Sequence, residues 1–145
     1  MRKQRVFVLV MLLVVFGLYL SESQATMDFT SDGVIQEGDV YDNVAIWNDA
    51  TVDMFGGIVS NDLGVNDQST FNLWDGSVGG IGALDSSTVN LFGGLASFLS
   101  TRYDSTANIY GGDLGMLASI GNSLVYLYAY DVVITNTGEV LGTAR

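Results

Sequence analysis

From Ala50 onward, apolar and polar residues alternate in short bursts, and the bursts recur. The stretch STVNLFGGLA (87–96) has near-copies in STFNLWDGSV from Ser69, STANIYGGDL from Ser105 and ATVDMFGGIV from Ala50. A fifth copy, SLVYLYAYDVV from Ser123, keeps the alternation but carries Ala129 and Tyr130 where the glycines stood. The starts are separated by 19, 18, 18 and 18 residues, and a weaker unit, NVAIWND from Asn43, leads in.

Within a copy the period is two, which is the signature of a strand with one buried face. Val52, Phe71, Val89, Ala107 and Val125 share one inward slot, and Met54, Leu73, Leu91, Ile109 and Leu127 share the next. Between and after them, facing the other way, lie Asp53, Asn72, Asn90 and Asn108, then Phe55, Trp74, Phe92, Tyr110 and Tyr128. A Gly-Gly pair (Asp75-Gly76 in one copy) follows as a corner that tolerates positive φ. Val59, Val78, Ala96, Leu114 and Val132 form a further inward column, and Ile81, Leu99 and Leu117 begin a return leg that an Asx-rich corner closes.

A unit of this length cannot bury its apolar side alone. Stacking like units solves the problem, because each strand then pairs in parallel with its copies about 4.8 Å away. The predicted fold is therefore all-β: a single-stranded parallel β-helix, or β-solenoid, of about five 18-residue coils. The inward slots fall at offsets 2, 4, 9 and 12 from the leading Ser, which is not the six-residue period of left-handed hexapeptide solenoids. GGIGALD from Gly79 approaches a calcium-binding nonapeptide, but Asp85 comes one place late and no other coil repeats it. A right-handed coil is favoured over a left-handed one.

The first 25 residues read differently. Arg2, Lys3 and Arg5 precede an apolar run from Val6 to Leu20, and SESQA ends in small residues, which predicts a signal peptide cleaved between Ala25 and Thr26. The run is shorter than the roughly 20 residues of a spanning helix, though an uncleaved anchor is the alternative, and only that would bring the chain to a membrane. Residues 26–42, more polar, are expected to cap or lead into the stack, and 43–145 to form the solenoid, open to continuation beyond Arg145. Removing the leader's three bases and one acid shifts the net charge from −11 to −13. Such a surface excludes nucleic acid, which needs Lys and Arg for its phosphates. The chain has no Cys, so no disulfide supports it outside the cell.

The STVNLFGG and STANIYGG units resemble the repeats of bacterial exported β-helix proteins, such as autotransporter passenger domains and the short solenoids of planctomycete and related secreted proteins. The resemblance covers about residues 43–134 and implies an exported location: secreted, periplasmic or on the cell surface. It departs from those families in that no barrel-forming or sorting segment follows LGTAR, so self-secretion and covalent sorting are not expected.

Two columns are candidate sites. The outward rings of Phe55, Trp74, Phe92, Tyr110 and Tyr128, beside Asp53, Asn72, Asn90 and Asn108, would stack on and hydrogen-bond an extracellular glycan or meet another surface protein. The competing expectation is a structural ladder packed on itself. At the closing corner, Asp49, Asp67, Asp85, Asp104 and Asn122 read as one stacked column. Calcium there would relieve repulsion between Asp67, Asp85 and Asp104, but turn chemistry explains the same residues. No other cofactor is called for. An uncapped last coil would also invite end-to-end pairing of copies.

Catalysis has few materials. With no His or Cys, nucleophilic triads and zinc centres are excluded. A carboxylate pair such as Asp85 and Asp104 is the remaining route to glycoside hydrolysis, but on an open corner nothing would raise one pKa. The expectation is a secreted or cell-surface, non-enzymatic solenoid with a structural or adhesive role. A glycan-binding module or weak polysaccharide hydrolase is the alternative.

Overall fold

The computed structural model describes residues 24–128, and within them the chain is an all-β parallel solenoid. The strands, in chain order, are β1 (Gln24–Phe29), β2 (Gly33–Ile35), β3 (Val40–Ile46), β4 (Thr51–Val65), β5 (Thr70–Ala83) and β6 (Thr88–Leu91). They continue with β7 (Leu95–Tyr103), β8 (Thr106–Ile109), β9 (Asp113–Leu114), β10 (Leu117–Gly121) and β11 (Leu124–Leu127). Every pairing between them is parallel.

Each coil has three strand stations. At the first, β2, the start of β4, the start of β5, β6, β8 and β11 pair in succession, so Val52, Phe71, Val89, Ala107 and Val125 stand in one register. At the second, Tyr41, Val59, Val78, Ala96 and Leu114 align. At the third, Met27, Val44, Leu63, Ile81, Leu99 and Leu117 align. The core fills the triangle between the stations, and its largest fully buried side chains include Phe71, Ile35, Ile46, Met54, Leu63 and Leu73.

The stack has about six turns, one more than the repeat count predicted. The additional turn is made by residues 24–42, the expected lead-in, whose β1 and β2 pair with β3 and β4. Its unit, SDGVIQ from Ser31, escapes the pattern because Gly33 fills the first inward slot and Gln36 the aromatic one. Gly33 belongs there for a packing reason: a Cβ would collide with the Phe29 ring, which occupies the volume instead. β1 begins two residues before the expected cleavage point, with Gln24 paired to Tyr41, and its pairs from Thr26 to Phe29 lie after it.

The glycine corner follows from backbone geometry. Gly57, Gly76, Gly94 and Gly112 have φ of 83°, 104°, 72° and 87°, the left-handed region that side chains disfavour. At Gly112 a Cβ would also stand 2.7 Å from the Gly93 carbonyl of the coil before. The expected inward Val132, the corner at Ala129 and Tyr130, and the leader to residue 23 lie outside the described residues.

Candidate functional site

The outer side of the first station carries three in-register columns. Nearest the leading corner are Thr51, Thr70, Thr88 and Thr106, partly exposed. Next come Asp53, Asn72, Asn90 and Asn108, which bond to one another along the axis. Asn72 Nδ2 donates to Asp53 Oδ1 at 2.9 Å, Asn90 Nδ2 to Asn72 Oδ1 at 2.7 Å and Asn108 Nδ2 to Asn90 Oδ1 at 2.8 Å. Such ladders are what identical amides do when parallel pairing places them one strand apart. The ladder is bounded by Val34 on the coil before Asp53 and Tyr126 on the coil after Asn108.

The third column is aromatic. Ring centroids lie 6.1 Å apart for Phe55–Trp74, 4.0 Å for Trp74–Phe92, 4.9 Å for Phe92–Tyr110 and 4.6 Å for Tyr110–Tyr128, with interplanar angles of 15° or less. Trp74 also donates its indole N–H to Asp53 Oδ1 at 3.3 Å, tying this column to the amide ladder. All five predicted ring residues are thus brought together, and their faces meet one another. Trp74 is 44 % exposed, so what the interior rings offer solvent is their edges. A sugar that stacks on an aromatic face finds the faces of Trp74, Phe92 and Tyr110 already covered. Among the outward residues of the strands 51–54, 70–73, 88–91 and 106–109, only Asp53 is charged.

The closing corner corrects the expected Asx column. Asn48, Asp67, Asp85, Tyr103 and Gly121 all have positive φ, from 55° to 81°, and occupy one register. Asp49 and Asp104 are each one residue further on, and Asn122 lies beside Asp104, donating Nδ2 to its Oδ1 at 3.3 Å. Asp85 and Asp104 therefore stand in neighbouring columns; the amide of Asp104 bonds the Asp85 carbonyl across the coils at 3.0 Å. The carboxylates accept backbone N–H groups, but those of the preceding coil rather than of their own turn. Asp67 Oδ2 accepts the Asn48 N–H of the previous coil at 2.9 Å, and Asp85 Oδ2 accepts the Asp67 N–H at 3.4 Å. Among the described residues no group of three or more carboxylates gathers as a metal site would need.

Two features went unread in the sequence. The leading serines Ser69, Ser87 and Ser105 are fully buried, in line with Ala50. Ser69 Oγ donates to the Asn66 carbonyl at 2.6 Å and Ser105 Oγ to the Ala83 carbonyl at 3.2 Å. Their signal was invariance across four copies without any outward role. The second is a further inward column, Ile46, Val65, Ala83 and Thr101, two residues beyond the return-leg leucines. Period two would have found it in Val65 and Ala83, but Thr101 and Ser119 break the apolar reading.

No helix among the described residues is long and apolar enough to cross a membrane. Compared with family models, curated proteins and solved structures, the chain matches none.

Proposed function

We propose that the chain is a non-enzymatic structural or adhesive solenoid that works outside the cytoplasm, secreted or on the cell surface, in the manner of bacterial exported β-helix proteins. The observation that carries this reading is the run of five mutually stacked rings beside the amide ladder. Its ring faces bind coil to coil, leaving a nearly uncharged strip of ring edges, amides and threonine hydroxyls on a strongly acidic molecule. Such a strip is fitted to rest against a neighbouring surface. The leader pattern of Arg2, Lys3 and Arg5 before Val6–Leu20 supports export. Asp67 and Asp85 already accept backbone N–H groups, so melting is expected to be the same in calcium and in chelator.

The test is Trp74→Ala, read by thermal melting and by a neutral glycan array. Loss of two ring contacts is expected to cost about 1–3 kcal/mol, with no glycan bound by either protein. Neutral glycan binding by the parent that Trp74→Ala loses with its fold intact would replace this reading with the glycan-binding one, for which the exposed edge of Trp74 is the supporting observation.

A further inference from the structure

The positive-φ corner has one member that does not suit it. Asn48, Asp67, Asp85 and Gly121 are residue types that enter the left-handed region at small cost, whereas Tyr103 holds φ 61° with a bulky side chain. Backbone outliers of this kind persist where the surrounding structure enforces them, and they cluster at functional positions. Tyr103 is 60 % exposed. Unlike Tyr110, Tyr126 and Tyr128, it takes no part in the stacked column. Gly121 pairs with Tyr103 on the next coil and has no side chain of its own to lay over it.

The preceding residue is Arg102, the only cation among the described residues and an exposed one. Its backbone N–H donates to Ser105 Oγ at 3.1 Å, but its guanidinium makes no ion pair or hydrogen bond among the described residues. The acids of this corner are engaged elsewhere: Asp104 Oδ1 accepts the Asn122 amide, and Asp85 Oδ2 accepts the Asp67 N–H. Across the ladder Arg102 pairs with Ile120, which offers no counter-charge. An unpaired guanidinium and an exposed, unstacked tyrosine therefore stand on successive residues of an otherwise acidic surface.

We propose that Arg102 and Tyr103 form a contact point for a carboxylate-bearing sugar, a uronate unit of an acidic polysaccharide. The planar guanidinium fork matches both oxygens of a carboxylate. The electron-rich face of Tyr103 packs on the C–H side of the sugar ring. Acids farther than about 8 Å are screened at physiological salt, while Asp85 and Asp104 on the adjoining corner positions keep their charge, so binding requires the two-oxygen contact with the guanidinium to outweigh them. The site is separate from the ring column and stands or falls independently of the adhesive reading.

Calorimetric titration of the full chain with short oligogalacturonate, its methyl ester and a sulfated oligosaccharide tests this. Oligogalacturonate is expected to bind, and the uncharged ester not to. Arg102→Ala should weaken binding about tenfold or more. Tyr103→Asn should weaken it too while raising Tm, because asparagine suits the corner that tyrosine strains. A rise in Tm with loss of binding is not what a purely structural tyrosine would give. The proposal is overturned by a parent protein that binds no oligogalacturonate, by equal binding of the sulfated sugar, or by a Tyr103→Asn variant that keeps parental affinity or melts lower.

Discussion

The two halves of the solenoid share the same outer ladders but not the same interior. In the first half β4 and β5 run unbroken for 15 and 14 residues, and the coils close on Ile35, Ile46, Met54, Leu63, Val65, Phe71 and Leu73. In the second half the corresponding strands are shorter, β6 and β8 being four residues each. The inward columns shrink from Val52 and Phe71 to Val89 and Ala107, and from Ile46 and Val65 to Ala83 and Thr101. Hydroxyls fill part of the space. Thr101 Oγ1 donates to Ser123 Oγ at 3.0 Å, and Ser119 Oγ lies 2.8 Å from the same atom. Outside, the amide and aromatic columns cross from one half to the other without a break. Cohesion thus shifts along the axis, from apolar filling toward hydrogen bonds and stacked rings.

The largest expected break in this contrast is Phe71→Ala. Phe71 is the bulkiest fully buried side chain among the described residues, and its loss should cost about 3–5 kcal/mol, read as a lower denaturation midpoint. Val89→Ala, one coil further in the same column, should cost about half of that or less. Equal costs would mean that the interiors differ in shape but not in stabilising weight.

A smaller effect comes from exchanging chemistry within one column. Val65 and Thr101 are both fully buried and occupy the same register two coils apart. Val65→Thr places a hydroxyl in the slot that Thr101 fills two coils on. The counterpart of Ser123 there is Ser87, whose buried Oγ has no partner among the described residues, so the new hydroxyl can be satisfied and should cost no more than about 1 kcal/mol. Thr101→Val should stay within about 1 kcal/mol of the parent, because Ser123 keeps Ser119 and the carbonyls of Thr101 and Ile120 as partners. Urea unfolding of both variants checks this, and a markedly larger loss for Val65→Thr would mean that Ser87 does not meet the new hydroxyl.

Much of this was legible in the sequence, and the illegible parts share a cause. The two inward slots, the glycine corner and the ring column follow from side-chain alternation, which depends only on the strand. The turn around Gly33 did not, because its missing side chain is replaced by Phe29 from another station. Nor could spacing alone tell Asp85 from Asp104, since the corner register depends on which residue takes positive φ, and there Tyr103 breaks the residue-type rule. The candidate ring site was found residue for residue, yet whether rings face solvent or each other is a matter of χ angles that no repeat encodes.

The smallest effect belongs to the first half and appears only at high pH. Tyr41, packed on the core at the second station, has its phenol pKa raised above the ordinary 10.0 by burial first and by the Asp39 charge second. The folded state therefore keeps the proton after the unfolded chain has lost it. That contribution is complete below pH 10 and declines as pH rises from there through the raised folded value. Tyr41→Phe should flatten this alkaline decline while leaving melting at neutral pH nearly unchanged; an unaltered alkaline slope would assign the decline to other groups.

The amide ladder also gives the molecule a sense of direction. Every step of it runs the same way, each Nδ2 reaching toward the preceding coil, until it meets Asp53. A carboxylate accepts and has no N–H to pass on, so the series ends there as a sentence ends at a full stop. At its other extremity Asn108 still holds out an oxygen. A coil bearing asparagine in this slot, inserted whole between existing ones, would join the series without altering either extremity. Length in this architecture is therefore counted in whole turns, and the ladder reads from one end only.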